Sequence, residues 1–487
     1  MSFFTISIQN MNRIFGLLLL FTSLLCSLRA QSDSPVHLEF PASKFTTDLQ
    51  CVLCHQNGIC MVYPSWIVDS AFSNIQHYDT NLNLQNSIRI PISNQYVCVE
   101  TAYDKGVVYV LYQSKTKKKK ENVGMMLIYN LESHLFDTIS LKQLPLTDIG
   151  RLTAKDGNIF FTAPTTKDNS NIYYIPQGDK IAHGLFIKDA PAYSVEDFIL
   201  DTISQKAVVC LNTSANTKDN VIWLCETSLE GELTHYIDFP DTGDYRFQNA
   251  RIIQTDTDTY LLTGTYQQRR SGLGNTATGI YSTLFRKGSF SIPQLFPYNF
   301  IDMEAKRHRS INNDFDELLY LVGKIYADNG RYALVTEGFY PEYRYSTTYS
   351  YGVPTTEPIF VGYRFVSAEL MLFDAFGNKI WDYRFPFNML VTNLVTHLRV
   401  AYPNNNILFY YMQGNDIVTM LTDKDQTVID PIRTSPILPS ESKNTQSTTT
   451  TGLSKWYDDF YILSGYRFKN TGKSKSPTFF LNKLKYE

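Results

Sequence analysis

Past residue 30 the chain has no apolar run long enough to cross a bilayer as a helix, which takes about 20 residues. No transmembrane segment is therefore expected in the mature protein. It has no surplus of charge either. Against 44 basic side chains stand 47 acidic ones, a formal net charge of -3, where a nucleic-acid binder would carry a basic excess. No nucleic-acid partner is expected. The G-x-S-x-G elbow, the H-E-x-x-H helix and the P-loop are all missing, and the eight histidines are scattered singly, so nucleophilic, zinc-hydrolytic and nucleotide-dependent chemistry has no anchor. Acidic and amide clusters occur at 78–83, 255–259 and 312–317. They lack the closing bidentate carboxylate of a calcium loop and are read as turns. The sequence thus names no catalytic residue and no metal site.

What is present leans toward sheet. Tyr (33) and Phe (31) are abundant, and aromatic, β-branched runs separated by Asn, Asp and Gly are strand-and-turn chemistry. The N-terminus reads as a secretory signal peptide over residues 1–30: Arg13, the apolar run Ile14 to Cys26, then Ala30 before the cut,. Residues 31–487 form the mature domain on this reading. The expected location is the periplasm, the cell surface or the extracellular space.

After residue 45 one pattern keeps returning, in which an apolar or alternating run meets a short polar turn and a second such run. The turns are HQNG (55–58), YDKG (103–106), KDGN (155–158), ISQK (203–206), TDTD (255–258), ADNG (327–330), PNNN (403–406) and YDDF (457–460). Their residues tolerate positive φ, as tight hairpins require. Further corners at Asp79, Asn130, Ser228, Asp374 and Asp423 lead from a third strand to a fourth. Eight hairpins with such corners, repeating mostly at about 50 residues, predict four-stranded sheets around an axis. In this pattern the chain resembles the β-propeller superfamily, in the manner of divergent, secreted bacterial propeller-like proteins, and that resemblance brings no activity with it. The expected fold is all-β, a single propeller of eight blades, with seven the alternative. VHLEF (36–40) is expected to add the outer strand to a last blade that otherwise has three. Residues 437–452, rich in Ser and Thr, read as a loop, and 337–358 as a Tyr-laden insertion.

Six cysteines follow the leader. Cys210 and Cys225 flank an apparent hairpin and can bridge if its loop is symmetric. Cys51-x-x-Cys54-His55 has the spacing of a covalent haem c site. On a strand, however, Cys51 and Cys54 point to opposite faces, so haem is disfavoured and no cofactor is expected. With Asn57-Gly58 as a two-residue turn, His55 lies opposite Cys60, and Cys51, His55 and Cys60 share a face. The Tyr-laden insertion supplies the candidate ligand-binding residues: Glu337, Tyr340, Glu342, Tyr343, Arg344, Tyr345, Tyr349 and Tyr351. Tyrosine combines rigid contact area with a polar tip, a composition enriched in recognition surfaces. The functional expectation is a binding or scaffolding protein that recognises a protein or glycan at the cell envelope through one face of the ring. The alternative is a secreted polysaccharide hydrolase or lyase with carboxylates in the central channel.

Overall fold

The structure is a computed structural model. It describes residues 37–485 apart from 42–48, 68–69, 115–123, 142–149, 165–169, 186–192, 202–203, 214–220, 230–232, 240–242, 269–276, 299–317, 351–352, 415, 424, 426, 437–444 and 471–474. The signal-peptide expectation (1–30) and Tyr351 lie outside these residues.

Eight antiparallel sheets follow one another along the chain; most are meanders in which sequential strands pair, while in blade 5 Tyr245–Phe247 pairs Thr259–Gln268 beyond Arg251–Asp256. Blade 1 consists of Gln50–Leu53, Ile59–Ile67, Ser70–Tyr78 and Leu84–Ile92. The first strands of blades 2, 3 and 4 are Tyr96–Asp104, Leu152–Lys155 and Ser194–Asp201. Those of blades 5, 6 and 7 are Arg251–Asp256, Leu319–Asp328 and Arg399–Ala401. Blade 8 is built from Thr445–Lys455, Phe460–Asn470 and Lys475–Lys485, with His37–Pro41 paired onto the last of these. The amino-terminal strand therefore completes the carboxy-terminal sheet. The outer edge of the third strand of that blade is thereby covered.

The cores show that the sheets form a ring. Each hydrophobic cluster lies between two consecutive blades, and the series is unbroken. Val62 and Val110 join blades 1 and 2, Leu111 and Phe161 join 2 and 3, and Phe160 and Val209 join 3 and 4. Blades 4 and 5 meet at Val208 and Leu262, 5 and 6 at Leu261 and Leu334, and 6 and 7 at Val335 and Phe409. Leu408 and Leu463 pack blade 7 on 8, and Leu481 with Met61 closes 8 on 1. Alternation along a strand explains this economy. Val108 and Val110 face one neighbour while Tyr109 and Leu111 face the other, so a strand buried on both sides is apolar throughout. First strands abut one another between blades 1 and 2, 2 and 3, 4 and 5, and 5 and 6. The protein is an eight-bladed β-propeller.

All eight turns expected from the sequence join the first strand of a blade to its second. Each holds a non-glycine residue at positive φ: His55, Lys105, Asp156, Gln205, Asp258, Asn329, Asn404 and Asp458, between 41° and 53°. Neighbouring turns are laced together. Asn57 Nδ2 donates to Tyr103 Oη at 2.7 Å, Lys105 pairs with Asp156, Lys206 with Asp258, and Asn329 Nδ2 donates to Asn405 Oδ1 at 2.9 Å. The corners are equally regular. Asp79, Asn130, Asp374 and Asp423 each accept two downstream backbone amides at 2.7–3.0 Å through Oδ1. Asp374→Ala removes such a pair at an exposed corner, and the expected cost is about 1 kcal/mol, read from the shift of the urea midpoint at unchanged m-value.

Several expectations need correction. The stretch 437–452 is not a loop throughout. From Thr445 it is the innermost strand of blade 8, paired along Phe460–Asn470, because runs of β-branched threonine suit a pleated ladder even when polar. Residues 337–350 and 353–358 are likewise strand, in the middle hairpin of blade 6. Cys210 and Cys225 are not bridged. Their hairpin is offset by one residue, so Cys225 lies opposite Val209 and Cys210 opposite Leu224. Cys210 therefore packs toward blade 5 and Cys225 toward blade 3. The turn after Leu53 is longer than two residues, with a single 3-10 turn at His55–Asn57, and Cys51 lies opposite Met61 while Val52 lies opposite Cys60. Cys54 and Cys60 thus share the face toward blade 2, and Cys51 faces blade 8. The two thiols that haem attachment would need on one side lie on opposite sides of a sheet. Burial, followed by the neighbouring Cys60, pushes Cys51 up to about 12, and burial raises Cys54 as well.

Candidate binding site

Blade 6 is the irregular one. Its two middle strands, Arg331–Ser350 and Val353–Phe373, run far beyond the inner strand, which stops opposite Phe339, and the outer strand Lys379–Val391, which stops opposite Tyr363. Past those points the hairpin continues as a two-stranded ribbon, Glu342 opposite Gly362 through Ser350 opposite Val353. Neither edge of it is flanked by another strand among the described residues. Side-chain alternation gives the ribbon two characters. Tyr343, Tyr345, Pro358 and Phe360 share one face; Arg344, Ser346, Glu357 and Ile359 share the other. Tyr345 is 51% exposed and Phe360 44%.

The base of the ribbon is braced. Tyr343 meets Phe360 edge-on at 5.6 Å, and Phe360 meets Tyr363 at 5.0 Å. Glu342 Oε2 accepts from Arg364 Nε at 2.7 Å, whose Nη1 donates to Asn388 Oδ1 at 3.0 Å. Tyr340 is half-buried next to this pair. Of the candidate residues, Tyr343, Arg344 and Tyr345 stand on the projecting ribbon, and Tyr349 lies in its strand. Glu342 is held at the base.

Glu337 belongs elsewhere. It is fully buried inside blade 6, and Oε1 accepts the amides of His397 and Leu398 at 2.6 Å each while Oε2 lies 3.0 Å from His397 Nδ1. It ties blade 6 to the start of the inner strand of blade 7. Glu337 and Glu342 do not form a catalytic carboxylate pair: one is sealed in the core and the other is ion-paired.

The central channel carries charges that the sequence reading did not assemble. Glu100, Arg151, Lys324 and Arg399, from blades 2, 3, 6 and 7, each precede the positive-φ residue of their own hairpin by five positions. Glu100 is within electrostatic reach of Arg151, and Lys324 of Arg399 and Arg151. Arg151 Nη1 pairs with Asp197 of blade 4, and Asp197 Oδ2 accepts the Ile252 amide of blade 5 at 3.1 Å. Arg251 Nη1 reaches Glu196 Oε2 at 3.5 Å, and its Nε and Nη2 donate to the carbonyls of Gly323 and Val322 at 3.1 and 2.9 Å. Inner strands bulge beside these charges, between Cys98 and Glu100, Val195 and Asp197, and Val322 and Ile325. A bulge adds one unpaired residue and re-aims a side chain. Burial raises the Glu100 carboxyl, opposed by the Thr101 amide and Arg151. Between blades 1 and 2 a cleft lined by Val62, Tyr63, Trp66 and Tyr96 holds about 10 Å³, room for one water molecule.

No family profile matches the chain, and no curated protein does. Among solved structures it is similar to the β-propeller domain of the Trilobed protease from Pyrococcus furiosus, at 9% identity and a TM-score of 0.39 over 81% of this chain and 96% of that one. It is also similar to the polysaccharide lyase Uly1, at 9% identity and 0.41 over 80% and 89%. The dihydro-heme d1 dehydrogenase NirN aligns at 10% identity and 0.44 over 91% and 75%. Identities this low transfer no activity; the fold assignment rests on the unbroken ring of inter-blade cores.

Proposed function

We propose that this is an exported propeller that binds or scaffolds a protein or glycan at the cell envelope, through the face from which the blade 6 ribbon projects. One observation carries the reading: a two-stranded ribbon open on both edges, with Tyr343, Tyr345, Pro358 and Phe360 on one side. Open edges offer backbone donors and acceptors to an added strand, and rigid aromatic faces suit both sugar rings and protein side chains. The enzymatic alternative has little to stand on among the described residues. Channel carboxylates Glu196 and Asp197 are held by Arg251 and Arg151, and Glu100 has no acidic partner beside it with which to form an acid–base pair.

The test is a variant in which residues 344–359 are replaced by Asn-Gly, so that Tyr343 and Phe360 close the hairpin. It is expected to keep the full chain's circular dichroism and unfolding midpoint. On a glycan array and on immobilised envelope proteins, it is expected to lose the ligands that the full chain retains. Equal retention by both proteins overturns the reading. Release of cleaved product from a bound glycan favours the hydrolase or lyase alternative.

A further inference from the structure

We propose that the central channel holds a small anionic ligand, gripped through its carboxylate or phosphate oxygens by Lys324, Arg399 and Arg151. This site is separate from the ribbon and does not depend on it.

The argument begins with the bulge in the inner strand of blade 6. Val322 pairs with Thr336 and Ile325 with Leu334, so Gly323 and Lys324 together face Val335 alone. Arg251 clamps the carbonyls of Val322 and Gly323 from blade 5. Gly323 itself sits close to Thr396 of the strand-entry segment of blade 7. Lys324 is thereby delivered to the channel wall, with Nζ 5.0 Å from the Tyr326 ring centroid. No ion-pair partner of Lys324 or Arg399 exists among the described residues; Arg399 donates from Nη1 to the Thr396 hydroxyl at 3.3 Å and also bonds the Tyr326 hydroxyl. Arg151, across the channel, is held by Asp197 through Nη1 and lies over the Phe198 ring at 4.7 Å. Glu100 lies within electrostatic reach of Arg151 and accepts the Thr101 amide at 3.4 Å, so Lys324 and Arg399 are the two cations of this group with no ion-paired carboxylate among the described residues.

Two consequences point to a ligand. Like charges placed together in a walled channel repel, and an anion relieves that repulsion. The Lys324 side chain is open to channel water yet enclosed by protein, and burial, Arg399 and Arg151, in that order, all disfavour its charged form. Guanidinium forks also match the planar oxygens of carboxylates and the tetrahedral oxygens of phosphates. Arg151 is fixed by Asp197, and the Lys324 bulge is fixed by Arg251. The donors are therefore oriented before anything binds.

The experiment uses the full chain in low-salt, phosphate-free buffer. Inorganic phosphate or citrate is titrated against sodium chloride at matched ionic strength, with the unfolding midpoint and calorimetric heat as readouts. A saturable rise in midpoint beyond that of chloride is expected. In K324Q the affinity is expected to fall about tenfold or more, since a hydrogen bond to a charged group is worth at least about that factor. Without added anion, K324Q is expected to unfold at the same temperature as the parent or higher, because a repelling charge is gone. Its lost response then cannot be a lost fold, and K324Q carries the test even if R399Q proves unstable. Response to citrate alone assigns the carboxylate, and response to phosphate alone assigns the phosphate group. A response no larger than that of chloride, or identical titrations of parent and K324Q, overturns the proposal.

Discussion

Replacing Glu337 with alanine is expected to cost about 3–5 kcal/mol of stability, the range for breaking a buried, partnered charge. The side chain is fully buried, and its two oxygens satisfy two backbone amides and an imidazole nitrogen. Alanine would strand all three partners in the seam between blades 6 and 7, next to Phe365 and Leu398. Each orphaned buried donor costs about 1–3 kcal/mol by itself. Glutamine separates this role from chemistry. Its carbonyl oxygen can still accept the amides of His397 and Leu398, and its amide nitrogen can donate to the imidazole in the tautomer that accepts at Nδ1. E337Q is therefore expected to keep most of the stability that E337A loses, measured by urea unfolding of both variants. Equal losses would show that the negative charge, not the hydrogen-bond pattern, holds the two blades together.

How much of this was legible in the sequence depends on the range of the interaction. The eight inner hairpins were readable because each is decided by a few residues: Asp156-Gly157 or Asn329-Gly330 takes positive φ whatever surrounds it,. The corners at Asp79 and Asp374 were readable for the same reason, since the side chain bonds amides two and four positions on. The closing strand was visible as an alternating stretch that the last blade lacked. Register was harder. One extra residue in a turn reverses every face, and that is why Cys60 joined Cys54 and why Cys210 and Cys225 point apart. Polarity misled at Thr445–Lys455, where strand propensity outweighed a composition that looked like linker. The ribbon was recognised as tyrosine-rich, but not as a paired extension of a sheet, and Glu337 was placed on it although it is buried below it. The channel charges were out of reach as a group. Glu100, Arg151, Lys324 and Arg399 have no common residue type, and only the ring brings blades 2 and 3 to face blades 6 and 7 across the axis.

Trp456→Ala is expected to cost about 3–5 kcal/mol, the usual range for emptying a buried large aromatic site, and to do so at the place where the ring closes. Trp456 is 2% exposed and packs among Ile59, Met61, Leu82 and Leu481, residues of blades 8 and 1. Its Nε1 donates to the Gly58 carbonyl at 3.0 Å, and its own carbonyl faces His55 Nδ1 at 3.2 Å. Tyr457 and Phe460 extend the cluster, with Lys483 Nζ 3.9 Å from the Phe460 ring centroid. The contact is therefore apolar and polar at once, and alanine removes the ring packing and the Nε1 bond while keeping the main-chain carbonyl. Gly58 cannot move to fill the void. At φ 95° it is a backbone that side chains rarely adopt, and its α-carbon is pressed so close to the Tyr78 carbonyl that a β-carbon would lie 1.9 Å from the oxygen. The seam differs from the other seven interfaces because blade 8 joins the first described strand, His37–Pro41, to the last, Lys475–Lys485. Loosening it frees the His37–Pro41 strand and uncovers the edge of Lys475–Lys485, which is a template for pairing with another copy. W456A is thus expected to show a lower thermal midpoint together with concentration-dependent association, followed by light scattering during the melt. A control at an interior seam, Phe161→Ala between blades 2 and 3, is expected to lose comparable stability without the association. If both variants associate alike, the closing blade is no weaker as an edge than any other, and the stability of the ring is shared evenly around it.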